Sequence, residues 1–259
     1  MSGSIQRTLH DIDVVKASGS LLTDNAFAAA LADYVEYTHG RTVLVNGGGK
    51  EIDALCARLS LPVVKRQGLR VTTPEVMDAV LMSLSHSSCL LASALLKHGT
   101  DVLPMPAFSG RIALSSRREG LGLVGGQTQV DGHKLLSIID AGFVPLLYPV
   151  AFSTSHEFLN VNADELAAAV AASLGARRLL LLTDVEGIMA DGAVLPSVSE
   201  RNASELVETG KIVEGMLPKV TAALKARMSG VREVRIMKGG IEELKAIKEG
   251  RKVGTEIEA

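Results

Sequence analysis

The sequence predicts an α/β fold, a three-layer α/β/α sandwich around a mainly parallel central sheet. Three observations carry that expectation. Short apolar runs without clean polar alternation, at residues 12–16, 42–45, 143–149, 179–182 and 233–237, have the character of strands covered on both faces. Segments of helical periodicity separate them along the whole chain. Aromatic residues make up only 3% of the sequence and tryptophan is absent, so the core must be built from Leu, Val, Ala, Ile and Met, which suits helices laid on a buried sheet.

The first run ends in Lys16, followed by Ala17, Ser18, Gly19 and Ser20. An ammonium at a strand's carboxyl end, beside small residues with accessible amides, is placed to meet phosphate oxygens; many strands also simply end in a solvated lysine. The second run leads into VNGGGKEIDAL, residues 45–55. Three consecutive glycines cost backbone entropy, and they point to something that must approach the main chain closely. Strand, glycine turn and helix start together form an anion cradle. Neither GxxxxGK[ST] nor GxGxxG fits there.

A helix over 50–59 places Ile52, Leu55 and Leu59 on one face. The next, over 73–98, opens with Thr73 as cap, Pro74 at the first helical position and Glu75 in the first turn. In LNVNADELAAAVAASLGA, residues 159–176, Asn160, Asn162 and Asp164 crowd the start of an alanine-rich helix over 164–174 that ends at Gly175. A cap accounts for one of those polar residues but not for all three. In GKIVEGMLPKVTAALKA, residues 210–226, Pro218 opens a helix over 218–228 and puts Lys219 in its first turn. An ammonium there opposes the helix dipole unless an anion lies in front of it. Sheets of this kind bind ligands at the carboxyl ends of their strands. Two lysines, an acid and a glycine cradle gathered at one rim form a phosphoryl-transfer kit.

At 259 residues the chain has room for one large domain or two small ones, and no repeat or linker divides it. A composition 47% hydrophobic and 22% charged is that of a soluble globular protein. The net charge of -2 gives no footing for nucleic acid or an anionic membrane as partner. No apolar run reaches the roughly 18 residues of a membrane span, and MSGSIQRTLH lacks a secretory stretch. Cys56 and Cys89 stand far apart and outside any CxxC spacing. A cytoplasmic protein with reduced thiols is therefore expected.

The stretches KASGS, VNGGGKEIDAL, VKRQGLRVT, NVNADELAAAVAASLGA, LLTDVEGIM, KIVEGMLPKVTAAL and GTEI, in this order, resemble the amino-acid kinase family. Within it they resemble the branch that phosphorylates N-acetyl-L-glutamate. The resemblance implies one kinase domain over residues 1–259, with an acyl-amino-acid and phosphoryl lobe at 11–176 and a nucleotide lobe at 177–259. Lys16 and Lys219 would stabilise the transferring phosphoryl group, with Asp164 holding both lysines in place. Main-chain amides of Gly19 and Gly48 would hydrogen-bond that group, and Gly47 and Gly48 would border the acceptor. Arg70 would grip the acceptor's α-carboxylate, a match for a planar bidentate donor, and Asn160 would bind the same molecule. Asp184, Val185, Glu186, Gly187, Ile188 and Met189, with Lys211, Ile212 and Val213, would line the ATP pocket.

By the same resemblance ATP, with Mg²⁺ bridging its phosphates, is the donor, and no metal ligands are expected from the protein. The acceptor is the γ-carboxylate of N-acetyl-L-glutamate, in arginine biosynthesis. It is ionised at neutral pH and needs no general base. Arginine-inhibited hexameric relatives carry an extra N-terminal helix; about ten residues precede the first strand here, so a homodimer without arginine feedback is expected.

The sequence also departs from the family's pattern. Asn46 stands where the glycine motif usually begins with histidine, and Ser18 where a glycine is usual. MPAFSGRIALSS, residues 105–116, and His86-Ser87-Ser88 are likewise unlike the family. These changes gather on the acceptor side. A kinase for another acylated amino acid, such as carrier-linked α-aminoadipate, and a non-catalytic ATP- or amino-acid-binding sensor are the alternatives. Arg70 favours a free α-carboxylate, and retention of both lysines with Asp164 favours catalysis.

Overall fold

Alternate residues of one strand face opposite sides of a sheet, and here both sides are covered. Leu179 and Leu181 join one buried cluster, whereas Leu180 and Leu182 join another across the sheet. That two-sided burial is why the apolar runs show no polar alternation. The computed structural model describes residues 11–17, 19–66, 68–190, 192–209 and 216–258. The expectations on the first ten residues, Ser18, Lys211, Ile212 and Val213 lie outside the described residues.

The chain begins β1 (Asp13–Ala17), α1 (Asn25–Tyr37), β2 (Thr42–Asn46), α2 (Gly49–Arg58), β3 (Lys65–Arg66), β4 (Leu69–Arg70) and α3 (Pro74–Lys97). It continues through β5 (Val102–Pro106), β6 (Ala113–Arg117), β7 (Gly125–Val130), α4 (Gly132–Asp140), β8 (Val144–Tyr148), β9 (Val150–Phe152) and β10 (Phe158–Asn160). Then follow α5 (Ala163–Leu174), β11 (Arg178–Thr183), β12 (Met189–Ala190), β13 (Ala193–Val194), β14 (Ser197–Val198) and α6 (Glu200–Glu208). The last elements are α7 (Leu217–Met228), β15 (Glu233–Lys238), α8 (Ile241–Lys248) and β16 (Thr255–Ile257).

Eight strands form the central sheet in the order β14-β16-β15-β11-β1-β2-β8-β5. Neighbours run parallel except β15 with β16. On one face α4, α5 and α7 pack through Leu135, Leu166, Val170 and Val220; on the other α1, α3 and α8 pack through Phe27, Leu31, Leu95 and Leu244. The expected three-layer sandwich is the observed one. Lys16 follows Val14 by two residues, so its side chain is aimed at the face of α5 and α7.

Three features were not expected from the sequence. The run at 143–149 is the strand β8, and a further strand, β9, follows directly beyond Pro149, which has no N–H to give a ladder. A second sheet, β10-β9-β6-β7, lies beside the first and is built partly from the unusual stretch at 105–116. The expectation that no segment is apolar enough for a membrane span is corrected by α3, whose 24 residues include a window of mean hydropathy 1.6. Half of that window is buried inside the molecule, Val80, Leu84, Leu91 and Leu95 among it. Serines at alternate turns break the run to the eye without making the helix polar.

At the amino end of the sheet a chain of charges crosses four neighbouring strands. Asp13 is fully buried and accepts from the Tyr34 hydroxyl at 2.7 Å and from Arg177 at 2.8 and 2.9 Å. Arg178 bridges Asp13 to Glu233, and Arg235 joins Glu233 to Glu256. Burial, with Asp13 alongside, pushes the Tyr34 hydroxyl far above its ordinary range and keeps it a donor. Replacing Asp13→Ala should destabilise the protein by about 3 kcal/mol, the lower end for breaking a buried pair because Arg177 is only half-buried. Urea unfolding measures this, and an unchanged midpoint would show that the charge chain does not hold the strands.

Candidate active site

Gly47, Gly48 and Gly49 turn β2 into α2, and the Gly47 N–H donates to the Ala17 carbonyl at 2.8 Å, tying this turn to the end of β1. Gly48 is the N-cap, in extended backbone at φ -177°, and no side chain caps the helix. A Cβ at Gly48 would come within 2.8 Å of Leu84 Cδ2, whereas one at Gly49 would meet nothing within 4 Å. The glycines are therefore not explained by left-handed backbone; they keep the space before the helix N-terminus open, where first-turn amides have no partner within the helix. Gly19 differs, since its φ of +66° favours glycine outright.

In that space lies a cavity of about 290 Å³ bounded by the glycine turn, Lys16, Arg70, Asn160 and Asp164. A second, of about 400 Å³, is lined by Gly19, Lys50, Thr183, Asp184, Lys238 and other residues. Gly49 borders both, so the cavities meet at the first turn of α2.

Lys16, Asp164 and Lys219 converge between three elements. Asp164 Oδ1 lies 3.0 Å from Lys16 Nζ and 2.9 Å from Lys219 Nζ, and Oδ2 accepts from Lys219 at 3.1 Å. All three side chains are buried. The possibility that Lys16 or Lys219 is merely a solvated residue is thus excluded by its burial. Asn162 is the cap of α5, its Oδ1 accepting from the amides of Asp164 at 2.9 Å and Glu165 at 3.1 Å. That leaves the Asp164 carboxylate free to face the lysines. Helix α7 begins at Leu217, which sets Pro218 second and Lys219 third in its first turn.

Burial alone would push the Asp164 carboxyl up, but the two ammonium groups outweigh it and hold it near about 2. Burial pushes Lys219 down to about 8, with Asp164 opposing and Lys16 reinforcing the shift. Between about 8 and the ordinary 10.5 the unfolded chain holds a proton the folded protein has lost, so stability from this group rises with pH there. The Asp164 contribution has the opposite limit: it is lost as pH falls from 3.8 towards about 2.

At the other end of the first cavity Arg70, on β4, is buried and donates to the Gly49 carbonyl at 3.0 Å. Its Nη1 is 2.5 Å from Asp53 Oδ1, an ion contact not aligned as a hydrogen bond. Asp53 also accepts from Lys65 at 2.8 Å. Burial would push Asp53 up, but its bonds to Lys65 and Arg70 keep it below the usual carboxylate range. Asn160 donates to Thr72 Oγ1 at 3.1 Å, and that hydroxyl donates to the Arg70 carbonyl at 3.0 Å. Sequence reasoning missed Asp53; its place one turn after Gly49 on the helix beginning at the glycines was the available signal.

Of residues 184–189, Asp184 lines the second cavity. Glu186 is exposed and paired with Lys238, and Val185 and Met189 are exposed. Gly187 and Ile188 pack inwards: a Cβ on Gly187 would meet Thr255 Oγ1 at 2.7 Å, and the Ile188 amide donates to that oxygen at 2.8 Å. The terminal GTEI stretch thereby buttresses the loop. Only two of the four turns singled out from the sequence end strands of the main sheet; α5 follows β10 of the small sheet, and the chain before α7 includes the undescribed residues.

Buried cations braced by the Asp164 and Asp53 carboxylates, beside a glycine turn at a helix start, give this α/β fold an anion-receptive rim at the carboxyl ends of its strands. Residues 11–238 match the amino acid kinase family, and the chain belongs to that family. The acetylglutamate kinase of Bacillus cereus (strain G9842) is 36% identical over 235 residues, 89% of this chain and 91% of that protein. That of Chloroflexus aurantiacus is 37% identical over 232 residues, 87% of this chain and 91% of the relative. Among solved structures, smu.665 from Streptococcus mutans UA159 superposes with a TM-score of 0.85 at 28% identity, over 95% of this chain and 98% of that one.

The Lys219 amine should titrate near about 8, well below exposed lysines. Replacing Asp164→Asn removes the one attraction that holds its proton, and should lower that value further. Carbon NMR of ¹³C-methylated lysines reads both, and a Lys219 signal that rises or stays in place in the variant would contradict the arrangement.

Proposed function

We propose that the protein is an ATP-dependent kinase that phosphorylates the γ-carboxylate of N-acetyl-L-glutamate. The observation that carries this reading is the buried Lys16–Asp164–Lys219 cluster, whose Lys16 and Asp164 line the first cavity, which shares Gly49 with the second. The acceptor occupies the first cavity, its α-carboxylate on Arg70 and its amide side near Asn160. Its γ-carboxylate points towards Lys16 and the glycine turn. The nucleotide enters the second cavity, so that its terminal phosphate reaches the amides of Gly19 and Gly48.

Negative charge on the transferring group spreads over its equatorial oxygens, and Lys16 and Lys219 are fixed in place to meet it. Asp164 takes no proton in this scheme; it positions the two ammonium groups, and its low affinity for protons keeps it anionic. Among the described residues no group of three or more His, Cys, Asp or Glu is placed to hold a metal. Mg²⁺ would arrive with the phosphates, whose charge it would offset. In this reading an acceptor lobe, 11–176, holds the first cavity, and a nucleotide lobe, 177–259, supplies Thr183, Asp184, Lys238 and Gly239 to the second, whose other wall comes from Gly19, Leu21, Gly49 and Lys50. The cytoplasm, as part of arginine biosynthesis, is the proposed setting.

A homodimer is proposed on the face of α3. Met82, Cys89, Leu90 and Leu96 are exposed there, beside Leu103 on the edge strand β5. The Ala107 amide donates to Tyr148 on the inner side of that edge, which turns positions 104 and 106 outward, and both are proline. The edge thus offers few donors to another strand, and the apolar side of α3 is left as the surface for a second copy.

Incubated with MgATP and N-acetyl-L-glutamate, the protein should form an acyl phosphate that hydroxylamine traps, and Lys219→Ala should lower turnover by about 10²-fold or more. Product from an N-acyl-aminoadipate but none from N-acetyl-L-glutamate would overturn the acceptor while leaving the kinase. On a sizing column coupled to light scattering the protein should run as a dimer and Leu96→Glu as a folded monomer; a monomeric unaltered protein would remove the α3 interface.

A further inference from the structure

Two further lysines stand outside the buried cluster, at the mouth of the second cavity. Lys50 follows Gly49 in the first turn of α2, and Lys238 closes β15, where it lies in register beside Thr183 of β11. Both line the cavity. Each is held by an acid from the same short loop after β11: Lys50 Nζ is 3.9 Å from Asp184 Oδ2, and Lys238 Nζ is 2.7 Å from Glu186 Oε1.

These pairs differ in kind from the buried cluster. The Lys50 and Asp184 side chains are each 82% exposed, and the Lys238 pair is about half so. Exposed ion pairs contribute little to stability, so either lysine can exchange its carboxylate for another anion at little cost. Gly49 and Lys50 in the first turn of α2, and Gly19, line the same cavity, where further anionic oxygens would find main-chain donors.

We propose that Asp184 and Glu186 are stand-ins for phosphate oxygens: they hold Lys50 and Lys238 at the cavity mouth until the diphosphate portion of a nucleotide displaces them. The inference rests on the reading above that the second cavity takes the nucleotide. The lysines then grip the diphosphate while the buried pair, Lys16 and Lys219, is left for the transferring group. The acids act as competitors of the ligand, which sets their behaviour apart from that of a strap joining the two sides of the cleft.

Binding of ADP by the whole protein in excess EDTA, followed by calorimetry, separates these roles without turnover or metal. Lys50→Ala and Lys238→Ala should each weaken ADP about tenfold and flatten its salt dependence, while AMP binding changes far less. Asp184→Asn and Glu186→Gln should tighten ADP severalfold, because each frees a lysine. If the acid variants weaken ADP as the lysine variants do, the pairs are a structural strap and the inference fails. If the unaltered protein binds ADP and forms acyl phosphate while neither lysine variant moves ADP affinity, the inference fails and the proposed function stands. An unaltered protein that binds ADP neither in EDTA nor with Mg²⁺ overturns both.

Discussion

A single carboxylate between two buried ammonium groups is the constraint on which the site depends. Lys16 and Lys219 could not share so dry a space without it, since like charges in a poorly solvated volume repel strongly. Asp164 resolves this by contacting both, and in doing so ties together β1, α5 and α7, three elements remote in sequence. Everything around it serves the same end. Asn162 takes over the capping of α5, the alternation along β1 aims Lys16 at that helix, and α7 starts at Leu217 with Pro218 and Lys219 in its first turn.

The sheet's topology explains why the site lies where it does. β1 sits between β2, from the first half of the chain, and β11, from the second. Loops leaving the carboxyl ends of these three strands border the cavities, and a crevice of this sort is where open α/β sheets take their ligands. The acceptor side draws its walls from α2, β4 and β10, and the other side from the ends of β1, β11 and β15. The Gly47–Gly49 turn is the seam between them, and at Gly48 it leaves no room for a Cβ beside Leu84 even though the backbone conformation would allow one.

Much of this was legible in the sequence, for definite reasons. Apolar runs buried on both faces announce a covered parallel sheet, and the sequence places β1, β2, β11 and β15 to within a residue or two at each end. Lys16, Asp164 and Lys219 were recognisable because each sits at an element boundary where a charged residue needs a reason. The small sheet was not legible: its strands are short, half-exposed and rich in serine and glycine, so neither period nor apolarity marks them. Asp53 was hidden for a different reason. An acid on an amphipathic helix reads as part of the solvated face, and only the fold brings Lys65 and Arg70 to it from a separate hairpin. The apolar character of α3 was obscured by interspersed serines that its neighbours bury along with the leucines.

Asp53 and Asp164 turn out to be two uses of one device, at opposite ends of the first cavity. Each carboxylate engages a pair of cations, Lys65 with Arg70 and Lys16 with Lys219, and each cluster keeps a net positive charge. A cavity with one such cluster at either end carries fixed positive charge at both ends, and the acceptor proposed above, a short dicarboxylate, would meet it with little reorganisation. The carboxylates fix the geometry by accepting only part of what the cations can donate. Arginine and lysine retain donors for a ligand, whereas a fully neutralised pair would have none to offer.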